Sequence, residues 1–352
     1  MAAVTSRERV LTALRHGIPD RVPYMELIVD EAFGLRLLGR PPAAEPPPMS
    51  GSLPVTCAFF GGQAYDPVDL ARGLDLDGFC MSIQPRIYFR TTVSEGMHYV
   101  VGGQIRTRAD LPLVNLPDPD DERIYEPARA FLAQYRPFEY AIGCFINLGS
   151  DPVVLSMGWD HFSYALYDDP LVPETLMDIY TGWYARAVKH ICKLGFDFIW
   201  AGDDIAFKTG PMISPTVFRT LFLPYWRRVA EAITLPWIFH SDGNFLPLLD
   251  DLLSLGMNAL NPIEPDAIDI VALRRRLGQG CTLVGNIDIN ALALASPEAV
   301  ERLTRDTIRQ VAPGGGFILS SSNSIPGYCR VENVLAMARA CRRYGEYPIG
   351  TA

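Results

Sequence analysis

The first apolar period along the chain is helical. Thr5-Ser-Arg-Glu8 is a capping box ahead of Val10, Leu11 and Leu14, and Gly17 followed by Pro19 ends the run. A short amphipathic helix is predicted there. The next stretch, 21–28, alternates like a strand, with Pro23 confining it to a strand's beginning or to an edge. From about residue 76 a unit repeats: a short apolar strand, a polar cluster at its end, then a helical period. Predicted strands cover 76–81, 140–146, 196–201, 236–240, 258–261, 282–285 and 316–320, and with 21–28 they make eight. Helices are predicted over 173–194, 215–233, 246–255, 269–277, 297–311 and 331–344. This alternation predicts an α/β chain, a single (β/α)8 TIM barrel spanning 1–352 with an N-terminal helix. Residues 85–116 alternate in strand fashion around glycines and predict a β-hairpin excursion near the barrel mouth. The proline-rich stretch 41–54 suits neither helix nor strand and reads as a surface loop of the same domain.

Composition narrows the partners. The 352 residues carry 31 Lys and Arg against 40 Asp and Glu, a formal charge of −9. Gripping a nucleic-acid backbone takes clustered cations, so nucleic acid is excluded as a partner. The start of the chain lacks a signal-peptide pattern, and no stretch has the ~20 apolar residues of a membrane span. A soluble, cytoplasmic protein is expected. The seven cysteines are odd in number, dispersed and mostly set in apolar runs, so they read as reduced core thiols.

Candidate chemistry lies where the later strands end, because a barrel places its active site at the C-terminal rim. Polar groups follow five neighbouring strands: Asp203 and Asp204, then His240, Asp242 and Asn244, then Asn261 and Glu264, then Asn286 and Asp288, then Ser320 to Ser324. Helix N-caps also favour Ser, Asp and Asn, so capping accounts for part of this set. His240 follows the apolar Pro236-Trp-Ile-Phe239 and precedes the turn residue Gly243. Its imidazole could be a metal ligand, a general base or a core group bonded to a carbonyl. His16, His98, His161 and His190 fall on helices or excursions and read as structural or surface groups.

Several of these motifs match a known family. The opening Arg7-Glu-Arg-Val-Leu-x-Ala-Leu-x-His-Gly-x-Pro-Asp-Arg-Val-Pro23, the Asp203-Asp204…Gly-Pro-Met-Ile-Ser-Pro215 run and His240-Ser-Asp-Gly-Asn244 resemble the uroporphyrinogen decarboxylase superfamily. So do Gly285-Asn-Ile-Asp288, Gly314-Gly-Gly316 with Ser322-Asn-Ser-Ile325, Glu332-Asn-Val334 and Tyr344-Gly-x-Tyr-Pro348. The resemblance covers nearly the whole chain and implies the same barrel fold. It implies one of two chemistries: decarboxylation of uroporphyrinogen, or methyl transfer with a corrinoid protein. The decarboxylases carry an Arg-rich loop after the first strand, whereas 24–31 here is acidic and offers no bidentate carboxylate contacts. The thiol-methylating members bind zinc through a His-x-Cys pair and a later Cys. Here His240 is kept, Asp242 stands in place of the first Cys, and Ser320 to Ser324 occupy the later region.

The resemblance therefore implies a methyltransferase or demethylase acting on a small methylated or methoxylated compound. Its corrinoid would be carried by a partner protein, since the Asp-x-His-x-x-Gly signature of cobalamin binding is missing from the chain. A Zn2+ site would use His240 and Asp242 with one of Asp203, Asp204 or Glu264, because zinc accepts carboxylate oxygen. Cys329 is a further candidate substitute ligand. His240, Asp242, Asp203, Asp204 and Glu264 are the expected catalytic group, and Asn286, Asp288, Asn323, Tyr88 and Glu26 the expected substrate-binding group. Two alternatives stand beside this reading. One is a decarboxylase of a different acid, with Asp77 and Tyr164 as loose counterparts of the family's polar residues; the other is a non-catalytic barrel that binds a corrinoid protein.

Overall fold

The computed structural model describes residues 3–41, 51–59, 64–94 and 97–350. Most of the predicted loop at 41–54 lies outside that set. Among the described residues twelve strands occur in chain order: β1 (Val55–Phe59), β2 (Gly78–Pro85), β3 (Phe89–Ser94), β4 (Met97–Gly103), β5 (Ala141–Ile146), β6 (Phe198–Gly202), β7 (Ala206–Phe207), β8 (Gly210–Pro211), β9 (Trp237–His240), β10 (Ala259–Asn261), β11 (Thr282–Ile287) and β12 (Phe317–Ser321). An eight-stranded sheet runs β1-β2-β5-β6-β9-β10-β11-β12. Its pairings are parallel except β1 on β2, which is antiparallel from Val55 opposite Pro85 to Phe59 opposite Met81.

The predicted first strand closes this sheet without forming a regular ladder. Tyr24 bridges Leu319 in parallel, the Met25 N–H donates to the Leu319 carbonyl, and the Asp77 N–H donates to the Tyr24 carbonyl. Pro23 has no N–H to give, which limits the segment to isolated bridges. The barrel predicted from periodicity is therefore present, with 21–29 between β12 and β2. β1 is an addition that the pattern did not show, because its five residues directly follow the proline-rich stretch.

Period-two alternation fills both sides of the wall. Cys80, Phe198, Trp200, Ile238, Ala259, Val284 and Ile318 make the barrel interior, and Val10, Ala13 and Leu14 of the first helix pack against them. Their neighbours Phe79, Met81, Ile199, Phe239, Leu260, Leu283 and Leu319 pack in the outer core beneath the helices. The first helix, Ser6–Leu14, has the predicted capping box. It lies under the N-terminal strand ends, where the Thr282 hydroxyl donates to the Ala13 carbonyl at 2.7 Å.

Helices Pro297–Val311 and Val331–Tyr344 fall where predicted. The expected helix at 215–233 is instead Pro215–Val217, a wide π turn at Phe218–Phe222, and Leu223–Ala230. Pro224 lacks the N–H that a continuous helix would use there. β2 runs four residues past its predicted end because Ser82 and Gln84 are buried polar positions; Gln84 Nε2 donates to Asn147 Oδ1 at 2.8 Å.

The excursion is the predicted antiparallel hairpin, β3 paired with β4 from Phe89 opposite Gly103 to Ser94 opposite Met97. It leaves the C-terminal end of β2 and is tied to helix Ser150–Met157, where the Ile105 N–H donates to the Ser156 carbonyl at 2.9 Å. Among the described residues no helix is long and apolar enough to cross a membrane.

Candidate active and metal site

Adjacent strand ends bring the rim residues together. β9 pairs with β10 so that His240 lies opposite Asn261, and with β6 so that Gly202 lies opposite His240. The imidazole Nδ1 is 2.6 Å from Asn261 Oδ1, and Asn261 Nδ2 donates to the Val284 carbonyl at 3.2 Å. The amide is thereby oriented with its oxygen toward the ring, so Nδ1 is the nitrogen that donates and, in the neutral ring, Nε2 is the one that presents a lone pair. Nε2 faces two carboxylates, Asp242 Oδ1 at 3.7 Å and Asp204 Oδ1 at 4.0 Å. One ligand atom from each of Asp204, His240 and Asp242 lies within 4.8 Å of the others.

Backbone donors hold this group in place. Asp204 Oδ1 accepts the Asp242 N–H at 2.9 Å, and Glu264 Oε2 accepts the Gly243 N–H at 2.9 Å. Gly243 has φ +77, and a side chain there would strike the Ala206 carbonyl, so the turn that swings Asp242 back toward His240 requires glycine. Asn323 Nδ2 donates to Asp242 Oδ2. Asp242 Oδ1 is buried and has no hydrogen-bond partner. Burial pushes the Asp242 carboxyl up to about 6; His240 opposes that rise, and Asp204 and Glu264 add to it.

Asp151 belongs to this neighbourhood and was missed from sequence. Its Oδ1 accepts the Asp204 N–H at 3.1 Å, and burial with the nearby Asp203 and Asp204 charges raises its carboxyl well above the usual range. The signal was available, since Asn147 to Asp151 is a polar run after a predicted strand like those after the later ones. Asn261 reads in sequence only as a strand-end residue, and its bond behind the His240 ring follows from the strand register.

Other predicted residues do different work. Asp203 is fully buried and accepts from the Leu148, Gly149 and Asp151 N–H groups and the Ser150 hydroxyl, so it caps the turn into helix Ser150–Met157 and is spent there. Asp288 caps helix Ile289–Leu294 through the Asn290 N–H. Asn286, opposite Ser320 at the end of β11, lines with Asp288 a groove of about 280 Å³ bordered by Pro265, Val271, Thr307 and Gln310. Tyr88 is buried and its hydroxyl is pinned to the Asn115 backbone, donating at 3.0 Å and accepting at 2.8 Å. Glu26 is 3% exposed, and its carboxylate is bonded to Ser320 and Ser321.

Asp77 lies at the opposite end of the barrel, bonded to Arg9, Arg21, Ser6 and the Tyr24 N–H. Tyr164 is 71% exposed on helix Trp159–Asp168. Cys329 is buried with its thiol 3.9 Å from the Ile289 carbonyl, outside the His240 group. His161 and His190 are surface groups beside Asp160 and beside Asp120 and Glu122, and His16 sits near Thr282. The side chain of His98 lies outside the described set.

Fold and site together define an α/β barrel with a polar, carboxylate-rich mouth at the C-terminal ends of its strands. A model of the uroporphyrinogen decarboxylase (URO-D) family matches residues 154–344, more than half of the chain, and the chain belongs to that family. It is 26% identical over 175 residues to a methylated-thiol--coenzyme M methyltransferase of Methanosarcina mazei, covering 49% of this chain and 45% of that protein. It is 24% identical over 270 residues to a uroporphyrinogen decarboxylase of Methylococcus capsulatus, covering 71% and 74% of the two chains. A solved methyltransferase structure from Methanosarcina mazei has the same fold, with a TM-score of 0.74 at 16% identity over 97% of this chain and 99% of that one.

Proposed function

We propose that this chain is a methyltransferase that takes a methyl group from a small methylated or methoxylated compound and passes it to a corrinoid carried by a separate protein. A divalent cation, zinc being the expected one, is held by Asp204, His240 and Asp242. The observation that carries this reading is the His240 group itself. A ring nitrogen with its tautomer fixed from behind faces two carboxylates, and one buried carboxylate oxygen among them has no partner. That donor set suits a hard or borderline cation, and the Asn261 contact is the outer-shell bond that metal-binding histidines use. Kinship with the methylated-thiol methyltransferase supports the direction of the chemistry.

When bound, the cation supplies Lewis acidity to the atom from which the methyl departs. The protein's own groups set the geometry. Asn323 occupies Asp242 Oδ2 and leaves Oδ1 toward the ring, and Glu264 fixes the turn at Gly243. Burial and the neighbouring Asp203 and Asp204 charges raise the Asp151 carboxyl well above the usual range, which favours uptake of a proton there and so limits the negative charge gathered at the mouth.

Similarity to uroporphyrinogen decarboxylases sustains a second reading, decarboxylation. The first barrel segment speaks against it for a polyanionic substrate. Glu26 is buried there, Asp30 caps helix Glu31–Leu37, Arg21 is bonded to Asp77 at the far end, and Arg36 donates to the Cys329 carbonyl.

Metal analysis of the purified protein, paired with methyl transfer to cob(I)alamin from methoxyarenes, methylamines and methyl thioethers, tests the proposal. One equivalent of divalent metal and methylcobalamin formation from one donor class are expected. Metal-free protein without transfer, or decarboxylation of uroporphyrinogen at an enzyme-like rate, would refute it.

A further inference from the structure

Glu26 is a buried carboxyl that the chemistry above does not use, and it is wired to the mouth. Its Oε1 accepts the Ser321 N–H at 2.9 Å, and its Oε2 accepts the Ser321 hydroxyl at 2.7 Å and the Ser320 hydroxyl at 3.2 Å. The Ser321 hydroxyl is also 3.2 Å from the Asn323 carbonyl oxygen. Asn323 in turn folds over Ser324, its Oδ1 accepting the Ser324 N–H at 2.7 Å, and its Nδ2 donates to Asp242 Oδ2. The far side of the loop is tied to the same first segment, since the Ile325 N–H donates to the Ile28 carbonyl and the Asp30 N–H to the Ile325 carbonyl. Residues 321–325 thus form an arch whose two feet rest on 26–30 and whose crown holds Asp242.

We propose that Glu26 is a positioning residue which, through Ser321 and Asn323, sets the hold of Asn323 on Asp242.

The Ser321 hydroxyl has one proton and two acceptors, the Glu26 carboxylate and the Asn323 carbonyl. With Glu26 ionised the proton goes to the carboxylate, because bonds to a charged acceptor are the stronger ones. With Glu26 protonated, its own O–H donates to the Ser321 oxygen, and the serine proton turns to the Asn323 carbonyl. The heavy atoms need not move for the direction of the chain to reverse. Burial raises the Glu26 carboxyl to about 7, against the pull of the two serines, so both arrangements are populated near neutrality. The titratable groups facing it are the Tyr24 phenol on its own segment and the Cys329 thiol across from it. The importance of this relay for catalysis rests on the role given to Asp242 above; the relay itself does not.

The test needs neither metal nor substrate. In the full chain labelled with 15N at asparagine, the Asn323 side-chain amide is followed between pH 5 and 8.5 by NMR. A step that follows the Glu26 carboxyl, itself tracked by 13C NMR, is expected. Glu26→Gln should remove that step. Ser321→Ala, which deletes one hydroxyl, should also remove it while the Glu26 carboxyl still titrates by 13C NMR. Absence of a step with the Glu26 midpoint in the parent protein, or its survival in Ser321→Ala, overturns the proposal, and Ser321→Ala decides the matter if Glu26→Gln does not fold.

Discussion

The two ends of the barrel treat their carboxylates in opposite ways. At the N-terminal end Asp77 is bonded to Arg9 and Arg21, and Asp197 to Arg7 and Arg136, with backbone N–H groups filling further lone pairs. Each anion there has guanidinium partners from the chain. At the mouth, Asp204, Asp242 and Glu264 are held by backbone N–H groups and one asparagine, and Asp242 keeps an oxygen without a partner. The lower end has spent its charges on cohesion. The upper end retains the capacity to bind a cation or a proton, and the fold below supplies the rigidity that makes this unsatisfied arrangement tolerable.

That contrast makes the lower end the place where a single substitution should cost most stability. Asp77→Ala would leave the buried Arg21 guanidinium without its anion and strip Arg9 of one of two, Asp20 remaining to it, a loss of about 3–5 kcal/mol. Chemical denaturation would read it as a large drop in midpoint, and a drop under about 1 kcal/mol would mean that the network is not cohesive.

At the mouth the same kind of change should act on ligand binding instead. His240→Ala should abolish metal binding with little change in unfolding midpoint, whereas Asn261→Leu should weaken metal affinity roughly 10–100-fold, as loss of an outer-shell partner does. Titration calorimetry with Zn2+ separates the two. Equal affinity in parent and His240→Ala protein would show that the cluster is not a metal site.

Acidity should move the two functions of Asp242 in opposite senses. Its folded value, about 6, lies above its ordinary value of 3.8, as does that of Glu26, about 7 against 4.5. The unfolded chain therefore ionises first, so these groups favour the fold fully below about pH 4 and lose that contribution as pH rises through 6 to 7. Metal-free protein should accordingly gain stability from these groups between pH 8 and 5, while Zn2+ affinity falls as Asp242 protonates. Thermal melts with and without Zn2+ across that range check both signs, and parallel trends in the two series would contradict the assignment.

The smallest effects should come from expected site residues whose polar atoms are engaged within the fold. Tyr88→Phe removes its bonds to the Asn115 backbone and should cost about 1 kcal/mol with no change in metal affinity. Any loss of Zn2+ binding in that variant would return Tyr88 to the site.

Much of this was legible along the chain. The eight barrel positions, the first helix and the hairpin follow from hydrophobic period and capping, because each is a local consequence of which face must be buried. The polar strand ends and the Gly243 turn marked, from sequence, the mouth at which His240 and Asp242 meet.

What those strand-end residues do was decided by tertiary structure. Asp203 and Asp204 are neighbours in sequence, yet one is consumed by the turn at 148–151 and the other faces His240, because adjacent residues at a strand end point to opposite sides. Asp77, in sequence a loose counterpart of the family's polar residues, is bonded by Arg9 and Arg21 at the far end. The lone pair on His240 exists only because parallel register sets Asn261 behind the ring. Sequence fixes which residues reach the rim through local periodicity, whereas partnership at the rim depends on contacts between strands far apart in the chain, and those arise only when the barrel closes.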